Sequence, residues 1–329
     1  MTPEINIAPN EYFHLFLTWV VKRMNAFWSR YEGKRHPHSN DPVINQYKFT
    51  NVYRILDRAT QHMLSNVIYN GKDYTDDDMI WRIFLYRHFN LPTTWDQLIR
   101  EFGDITLNTP INDLIDKLTE LRNRKYPIYS PAYMITAPFM CDQDHKERFG
   151  IGDVKTKHEG YLRVFDQYFL QAGVIAEVKQ AQSLEDLYNT VHRVVGIGDF
   201  MAYQVVQDWN YTPLFKFSQN DFVVAGTGTD RGIRRVFDHV TDVEATVRWT
   251  HTNFESLLHD HGLYTAFRPL PGWWPQLPDI SNCFCETDKY MRGMGIQQTG
   301  VHGKQLRNKF KPHRDRINYT FPSHWNIKL

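Results

Sequence analysis

The sequence has few cysteines and no long apolar run. Cys141, Cys283 and Cys285 are too few for a disulfide framework, and Cys283-x-Cys285 lacks the second ligand pair of a structural zinc site. No stretch reaches the roughly 18 apolar residues that a membrane helix needs. The N-terminal residues carry charges and show no signal-peptide cleavage site. We therefore expect a cytoplasmic protein with reduced thiols and no membrane partner, in a host cytoplasm if the source is viral.

Signatures of several ligand-dependent enzyme classes are also missing. The sequence contains no Gly-x-x-x-x-Gly-Lys-Ser/Thr, the loop with which P-loop enzymes hold nucleotide phosphates. His145-x-Glu147 resembles the start of a zinc-deaminase motif, but no Pro-Cys-x-x-Cys follows it. Gly196-x-Gly198 lacks the preceding strand and the third glycine of a Rossmann fingerprint. These absences disfavour a P-loop kinase, a zinc deaminase and a dinucleotide-dependent enzyme.

Positive charge is concentrated at the C-terminal end, although the net charge is only +1. Residues 300–329 contain seven Lys or Arg against one acid, Asp315, which gives this segment +6 and leaves −5 for the rest. A basic segment with interspersed aromatic residues suits contact with phosphates. The alternative is a solvated tail that improves solubility.

What is present is helical periodicity. Apolar residues recur at helical spacing in most of the chain, whereas no alternating pattern is long enough to found a sheet. The predicted helices cover residues 10–31, 49–68, 79–90, 95–102, 111–122, 160–171, 183–194 and 201–209. The helix over 79–90 is apolar nearly all round, so we expect it to be buried and central, with its N-terminus favoured by the preceding acids. The fold class is therefore mainly α.

The predicted helix over 49–68 has an unusual polar face. Asn51, Arg54, Arg58 and Gln61 fall on one side at helical spacing. Solvated faces usually mix Lys and Glu, whereas amide and guanidinium groups suit phosphates or base edges. The alternative is a buried structural network. If the stripe is functional, it should line the active cleft and face the same cavity as Asp221.

A glycine hairpin connects two predicted helices. In Val195-Gly196-Ile197-Gly198, the glycines leave backbone N–H groups open at a helix N-terminus, where they can bind a DNA phosphate without reading sequence. A separate segment, residues 127–138, is rich in aromatic residues and is predicted to form a loop or a broken helix. Asp221 follows the hairpin by about twenty residues, and its aromatic and β-branched neighbours would desolvate its carboxylate. Taken alone, the sequence around Asp221 favours an N-cap or turn acid over a catalytic one.

The hairpin followed by Asp221 resembles the helix-hairpin-helix DNA glycosylases. Further segments in the same order are similar to the 5-hydroxymethyluracil DNA kinase helical-domain family, which is allied to the α-glutamyl/putrescinyl-thymine pyrophosphorylases. The segments are Phe49-Thr50-Asn51-Val52-Tyr53-Arg54, Asp57-Arg58, Phe89-Asn90, Thr94-Trp95, Ile128-Tyr129-Ser130, Ala202-Tyr203-Gln204 and Phe284-Cys285-Glu286-Thr287-Asp288-Lys289. The resemblance covers roughly residues 40–295. It implies a two-lobed, glycosylase-like helical fold, with an N-terminal helix in 1–36, a catalytic domain in 37–299 and a basic tail in 300–329.

The resemblance, together with the missing P-loop, implies a transferase. Its substrate would be double-stranded DNA whose thymine is modified to 5-(pyrophosphoryloxymethyl)uracil, and an amino acid or polyamine would replace the pyrophosphate on the flipped-out base. Excision of the base by a glycosylase and non-catalytic reading of modified DNA are the alternatives.

Roles follow from this chemistry as expectations. Asp221 or Glu286 would take the proton of the amine, and Arg54 with Arg58 would stabilise the departing diphosphate. The remaining substrate contacts would come from Asn51, Gln61, Tyr129, Tyr133, Gln204, Asp288 and Lys289, with the two tyrosines sandwiching the base and Gln204 reading its edge. DNA contacts would come from Gly196, Gly198, Lys216, Lys304 and Arg307. No cofactor is established, although Asn51 and Asp288 offer oxygens for a divalent metal.

Overall fold

The structure, a computed structural model, describes residues 7–131, 147, 149–298, 301, 306–312 and 316–329. Its secondary structure is mainly helical, which confirms the predicted fold class. Cys141, Tyr133, His145 and Lys304 lie outside the described residues. Among the helices of the described part, none has both the length and the apolar character needed to cross a bilayer. The chain divides into two compact units, a terminal unit of residues 1–58 and 219–329 and a central unit of residues 59–218.

The terminal unit is built on helices from both ends of the chain. Its helices are α1 (Phe13–Tyr31), α2 (Pro42–Gln46), α11 (Thr227–Val236), α12 (Val243–Asp260) and α13 (Leu277–Gly293). Three 3₁₀ turns cover Arg54–Leu56, Tyr264–Ala266 and Ser323–Trp325, and the strands β1 (Ala8–Pro9) and β2 (Phe237–Asp238) pair antiparallel. The predicted helix over 10–31 is confirmed as α1, whose Phe16 ring stacks on Phe284 of α13 at 4.3 Å.

Glycines bring α11 and α13 unusually close together. A Cβ atom at Gly232 would overlap the backbone carbonyl of Phe284, and one at Gly228 would meet Sγ of Cys285 at 2.5 Å. Because the glycines carry no side chain, the two helices pack almost backbone to backbone. This contact aligns the polar side chains of α11 with those in the second half of α13.

The central unit contains the other helices whose bounds lie within the described residues. These are α3 (Arg58–Met63), α4 (Asp76–Phe89), α5 (Pro92–Phe102), α6 (Ile111–Asn123), α7 (Lys157–Phe165), α8 (Val174–Gln180), α9 (Leu184–His192) and α10 (Asp199–Trp209), with π-helical turns over Leu64–Ile68 and Asp166–Leu170. The predicted buried helix is confirmed as α4. Thr75 caps its N-terminus, acids occupy its first turn, and Arg87 forms a buried ion pair with Asp208 of α10.

The predicted continuous helix over 49–68 is wrong for its first half. Residues 48–53 are not helical, and α3 begins only at Arg58. The backbone N–H groups of Thr50, Asn51 and Arg54 donate to Glu286, Asp57 and Asp279, at 3.1, 2.8 and 2.8 Å. Of these donors, the Arg54 N–H would belong to the hydrogen-bond ladder of a helix that begins at residue 49, and Asp279 takes it instead.

The described parts of the basic tail pack against other segments of the terminal unit. Lys48 N donates to Asn308 O, and Phe310 N donates to Gln46 O, so the tail runs along residues 46–48. Farther on, Trp325 stacks on Trp273 with ring centroids 4.5 Å apart. The described parts of this segment therefore pack on the terminal unit, while its basic residues Arg307, Lys309, Lys311 and Arg316 are exposed.

Candidate functional site

The first turn of α13 gathers two distant segments of the terminal unit. Gln276 and Asp279 form a capping box at this helix start. The side chain of Asn220 accepts from Leu277 N at 3.0 Å and donates to Gln276 at 2.7 Å. Arg54 N donates to Asp279 at 2.8 Å. The segments that carry Asp221 and Arg54 therefore meet at one end of α13.

Asp221 does not have the predicted apolar surroundings. Its side chain is exposed, so the expectation that flanking aromatic and β-branched residues desolvate its carboxylate is wrong. Its backbone carbonyl accepts from Arg248 Nη2 at 3.0 Å, which fixes the turn. The carboxylate is accordingly open to a substrate in solution, and its catalytic role remains a proposal.

Arg23 and Asp57, which the sequence reading missed, organise residues 50–57. Arg23 donates through Nε to Thr50 O at 2.8 Å and through Nη2 to Asn51 Oδ1 at 2.6 Å. Asp57 accepts from Asn51 N and pairs with the Arg54 guanidinium. Asn51 and Arg54 therefore belong to one network of hydrogen bonds and ion pairs. The prediction that they share a helical face with Arg58 and Gln61 is wrong.

Asp279 is a second residue that the sequence reading missed. It is 6% exposed and sits at the third position of α13, accepting from Arg54 N and Gln276 N. Burial raises the pKa of Asp279 to about 7, against the lowering effect of those two backbone hydrogen bonds and of Arg54. The group therefore changes its charge near neutral pH inside the network that positions Arg54.

Glu286 and Lys289 are paired with each other one turn apart on α13. Glu286 is 2% exposed, and its Oε1 lies 2.6 Å from Lys289 Nζ, while its Oε2 accepts from Thr50 N. Both carboxylate oxygens are thus engaged in holding the polypeptide. This arrangement suits a positioning residue better than an accessible proton acceptor.

Asp288 is surrounded by three arginines. Arg235 donates to Oδ1 at 2.8 Å, while Arg231 and Arg292 approach Oδ2 at 3.2 and 2.9 Å. Hydrogen bonds and ion pairs with these arginines lower the pKa of Asp288 despite the opposing effect of its burial. Three guanidinium groups around one carboxylate leave a local net charge of about +2. The Arg231 side chain is 36% exposed. This arginine cluster, Arg231, Arg235 and Arg292, has the charge to hold an anion.

The structure does not favour Asn51 and Asp288 as metal ligands. Asn51 Oδ1 accepts from Arg23, and both oxygens of Asp288 are bound by arginines. Among the described residues, no group of three or more His, Cys, Asp or Glu side chains is arranged to hold a metal ion.

In the central unit, the predicted hairpin precedes α10. Gly196 has φ of +83°, a backbone conformation that favours glycine, and Gly198 is the N-cap residue. A Cβ at Gly198 would meet nothing within 4 Å. The N-terminus of α10 is therefore sterically open, as the phosphate-binding prediction requires. The Asp199 side chain is held to one side by Tyr188, at 3.0 Å, and by His192.

The other residues of the central unit that were predicted to contact the substrate or the DNA differ from one another in exposure. Gln61 is buried on α3, Gln204 is half-buried on α10, and Lys216 is exposed in the segment after α10. Tyr129 packs against the rings of His88 and Phe89, with Lys157 Nζ 4.5 Å from its ring centroid. Burial raises the pKa of Tyr129 well above its usual value.

Comparison with known proteins identifies the family. The profile described as "5-hmdU DNA kinase, helical domain" matches residues 10–299, so the chain belongs to this family. The chain is also similar to the 5-hmdU DNA kinase of Bacillus phage SP10, with 24% identity over 333 residues. That alignment covers 94% of this chain and 50% of the relative, so the chain spans about half the length of the curated relative. No solved structure matches the chain.

Proposed function

We propose that the protein modifies a thymine-derived base in DNA by transferring an amine to it. The substrate is 5-(pyrophosphoryloxymethyl)uracil in double-stranded DNA, and an amino acid or polyamine replaces the pyrophosphate. The observation that carries the proposal is membership, over residues 10–299, of a family named for acting on 5-hmdU DNA. No P-loop sequence accompanies this match, which favours a step after phosphorylation over phosphorylation itself.

The reaction is a displacement at the exocyclic methylene carbon of the base. The amine nitrogen forms a bond to this carbon, the carbon–oxygen bond to pyrophosphate breaks, and the nitrogen gives up one proton. The base leaves the helical stack so that the carbon becomes accessible, as in other enzymes that act on bases. The glycosidic bond remains intact, which distinguishes this reaction from base excision.

Asp221 is the better of the two proposed proton acceptors. Its carboxylate is exposed, whereas Glu286 is buried and bonded through both oxygens. A carboxylate that accepts the amine proton must reach the nucleophile within hydrogen-bond distance. We assign Glu286 to positioning residues 50–57, together with Asp279.

Cationic side chains of the terminal unit would bind the diphosphate and the DNA backbone. Arg54 and Arg58 remain the proposed diphosphate ligands, because guanidinium groups match phosphate oxygens and stabilise developing charge. The arginine cluster around Asp288 supplies additional positive charge, and Arg307 and Lys309 are exposed basic residues of the same unit. In the central unit, the open N-terminus at Gly198 would bind a backbone phosphate.

The fate of the substrate strand tests the proposal. The protein is incubated with a duplex that carries the pyrophosphorylated base and with a mixture of amino acids and polyamines. We expect stoichiometric release of pyrophosphate and a strand that survives hot alkali. Alkali-labile abasic sites would show a glycosylase, and binding without any change to the strand would show a reader; either result contradicts the proposal.

A further inference from the structure

A groove in the central unit belongs to none of the sites described above. Its cavity volume is about 330 Å³, at the lower end of the range for small-molecule sites. One side is formed by Asn66 and Asn70, at the π-helical turn and just beyond it, and the other by α5. The lining residues are Asn66, Asn70, Lys72, Trp95, Asp96, Ile99, Arg100 and Asp104.

One residue that lines the groove, Trp95, carries a buried donor without an acceptor. Trp95 is 2% exposed, and its Nε1–H has no hydrogen-bond partner among the described residues. Arg82 lies beneath it, with Cζ 5.2 Å from the Trp95 ring, and is fully buried. Its Nη1 donates to Ile105 O at 2.6 Å and pairs with Asp104, while Nε and Nη2 find no partner in the described part of the chain. A buried donor without an acceptor is costly, so the Trp95 N–H favours an incoming acceptor, whereas Arg82 does not line the groove.

Opposite charges line the rim without neutralising each other. Asp96 and Arg100 lie one turn apart on α5, the spacing at which such residues commonly form an ion pair. Asp96 instead binds His62 through Oδ1 at 2.9 Å, and Arg100 donates to Gln97 at 3.0 Å. Oδ2 of Asp96 has no partner among the described residues.

The other polar groups of the groove leave one more acceptor. Asn66 uses its amide nitrogen on His62 O, at 3.0 Å, which leaves Oδ1 available. Asn70 is committed to Tyr74 and to Lys72 N. Asp104 binds Tyr74, Lys72 and Arg82, and these contacts lower the pKa of Asp104 to about 2 although burial alone would raise it. Asp104 is therefore an ionised, fully engaged part of the wall.

We infer that this groove binds a free α-amino acid. Its ammonium group contacts Oδ2 of Asp96 and Oδ1 of Asn66, and its carboxylate contacts Arg100 and the Trp95 indole N–H. A diamine would satisfy the acceptors but leave the indole and guanidinium donors unmet. The identification of this amino acid as the transferred donor rests on the proposed function, whereas its binding to the groove does not.

Binding to the full-length protein tests the inference. Saturation-transfer NMR with an equimolar panel of the common L-amino acids, and separately with putrescine, identifies any ligand. We expect at least one amino acid to bind and putrescine not to compete with it. Asp96→Asn and Arg100→Gln should each weaken this binding by about tenfold or more, the effect of losing a hydrogen bond to a charged group.

Matched variants separate recognition from folding. Asp116→Asn and Arg124→Gln remove comparable exposed charges on or beside α6 and should leave binding unchanged. Trp95→Phe keeps a ring but removes the N–H, so it should weaken binding while the melting temperature stays close to that of the wild type. The inference would be overturned if no amino acid bound, if Arg100→Gln left the binding unaffected, or if putrescine competed with the amino acid. If an amino acid bound to the groove but was not transferred to DNA, the proposed function would be refuted, whereas the groove would still be an amino-acid site.

Discussion

The carboxylates on and beside α13 have very different surroundings. Asp279 is buried against backbone donors, Asp288 is buried among arginines, and Asp221 is exposed. Desolvation raises the pKa of Asp279 to about 7, whereas the arginine cluster lowers the pKa of Asp288. The same functional group is thus adapted to positioning, charge balance and accessible chemistry by its neighbours alone.

The raised pKa of Asp279 predicts a pH-dependent contribution to stability. The unfolded chain releases this proton near pH 3.8, but the folded protein retains it until about pH 7. The resulting stabilisation is fully present below pH 3.8 and is lost as the pH rises to 7, by roughly 1.4 kcal/mol per unit of pKa difference. Relative to Asp279→Asn, the wild-type free energy of unfolding should therefore fall between pH 4 and pH 7. Urea unfolding at several pH values measures this difference.

A surface carboxylate that caps a helix provides the control for this experiment. Asp242 accepts from Ala245 N at 2.9 Å at the start of α12 but is exposed. Asp242→Asn should shift the unfolding curve without a comparable slope between pH 5 and pH 7. Parallel pH profiles for the wild type and Asp279→Asn would contradict the raised pKa.

Asp221→Asn tests recognition and chemistry separately. Asn keeps the size of the side chain but cannot take the amine proton, so turnover should fall by about 10²- to 10⁴-fold. DNA affinity should remain the same or become slightly tighter, because a negative charge near the DNA is lost. Single-turnover rates and fluorescence-anisotropy titrations measure the two quantities.

Two comparison variants complete that test. Asp260→Asn removes another exposed acid of the terminal unit and should alter neither quantity. Glu286→Gln breaks the pair with Lys289 and should mainly lower the melting temperature. An Asp221→Asn enzyme that keeps more than about a tenth of the wild-type rate would refute the proton-acceptor role.

At the scale of elements, the sequence predicted those helices whose signals are local. The acids in the first turn of α4 and its apolar sides identify a buried helix, and the hairpin glycines mark the start of α10. The helix over 49–68 failed as a prediction because Asp279, 225 residues away in the sequence, takes the N–H group of Arg54. For the same reason, the sequence could not identify Asp279, whose burial depends on tertiary packing.

The hairpin prediction leads to a substitution that separates helix capping from phosphate binding. Gly198 is an N-cap with extended backbone and open space at Cβ, so Asp or Ser fits there and caps α10 well. Gly198→Asp should keep or raise the melting temperature but weaken DNA binding by roughly tenfold, since its charge repels a phosphate. Gly198→Ser, which caps without charge, should bind DNA like the wild type. Equal DNA affinity for all three proteins would remove the hairpin from the DNA interface.

At the scale of the whole molecule, the mainly α class and the family were predictable from separated motifs. The organisation into a terminal and a central unit was not, because the terminal unit joins residues 1–58 to 219–329. The packing of the tail was also hidden, since the stacking of Trp325 on Trp273 leaves no periodic signal in the sequence. Charge counting found the exposed basic residues but could not show that their aromatic neighbours help to build the terminal unit.

The central claim is that an amine becomes covalently attached to the modified base in DNA. Its most direct test is mass spectrometry of nucleosides digested from duplex DNA containing 5-(pyrophosphoryloxymethyl)uracil, after incubation with the protein and a pool of ¹⁵N-labelled amino acids and polyamines. We expect a deoxynucleoside that has lost the pyrophosphate group and gained one labelled amine, and we expect Asp221→Asn to form this product far more slowly. A digest that yields free modified base, or a nucleoside without the label, would contradict the proposed function.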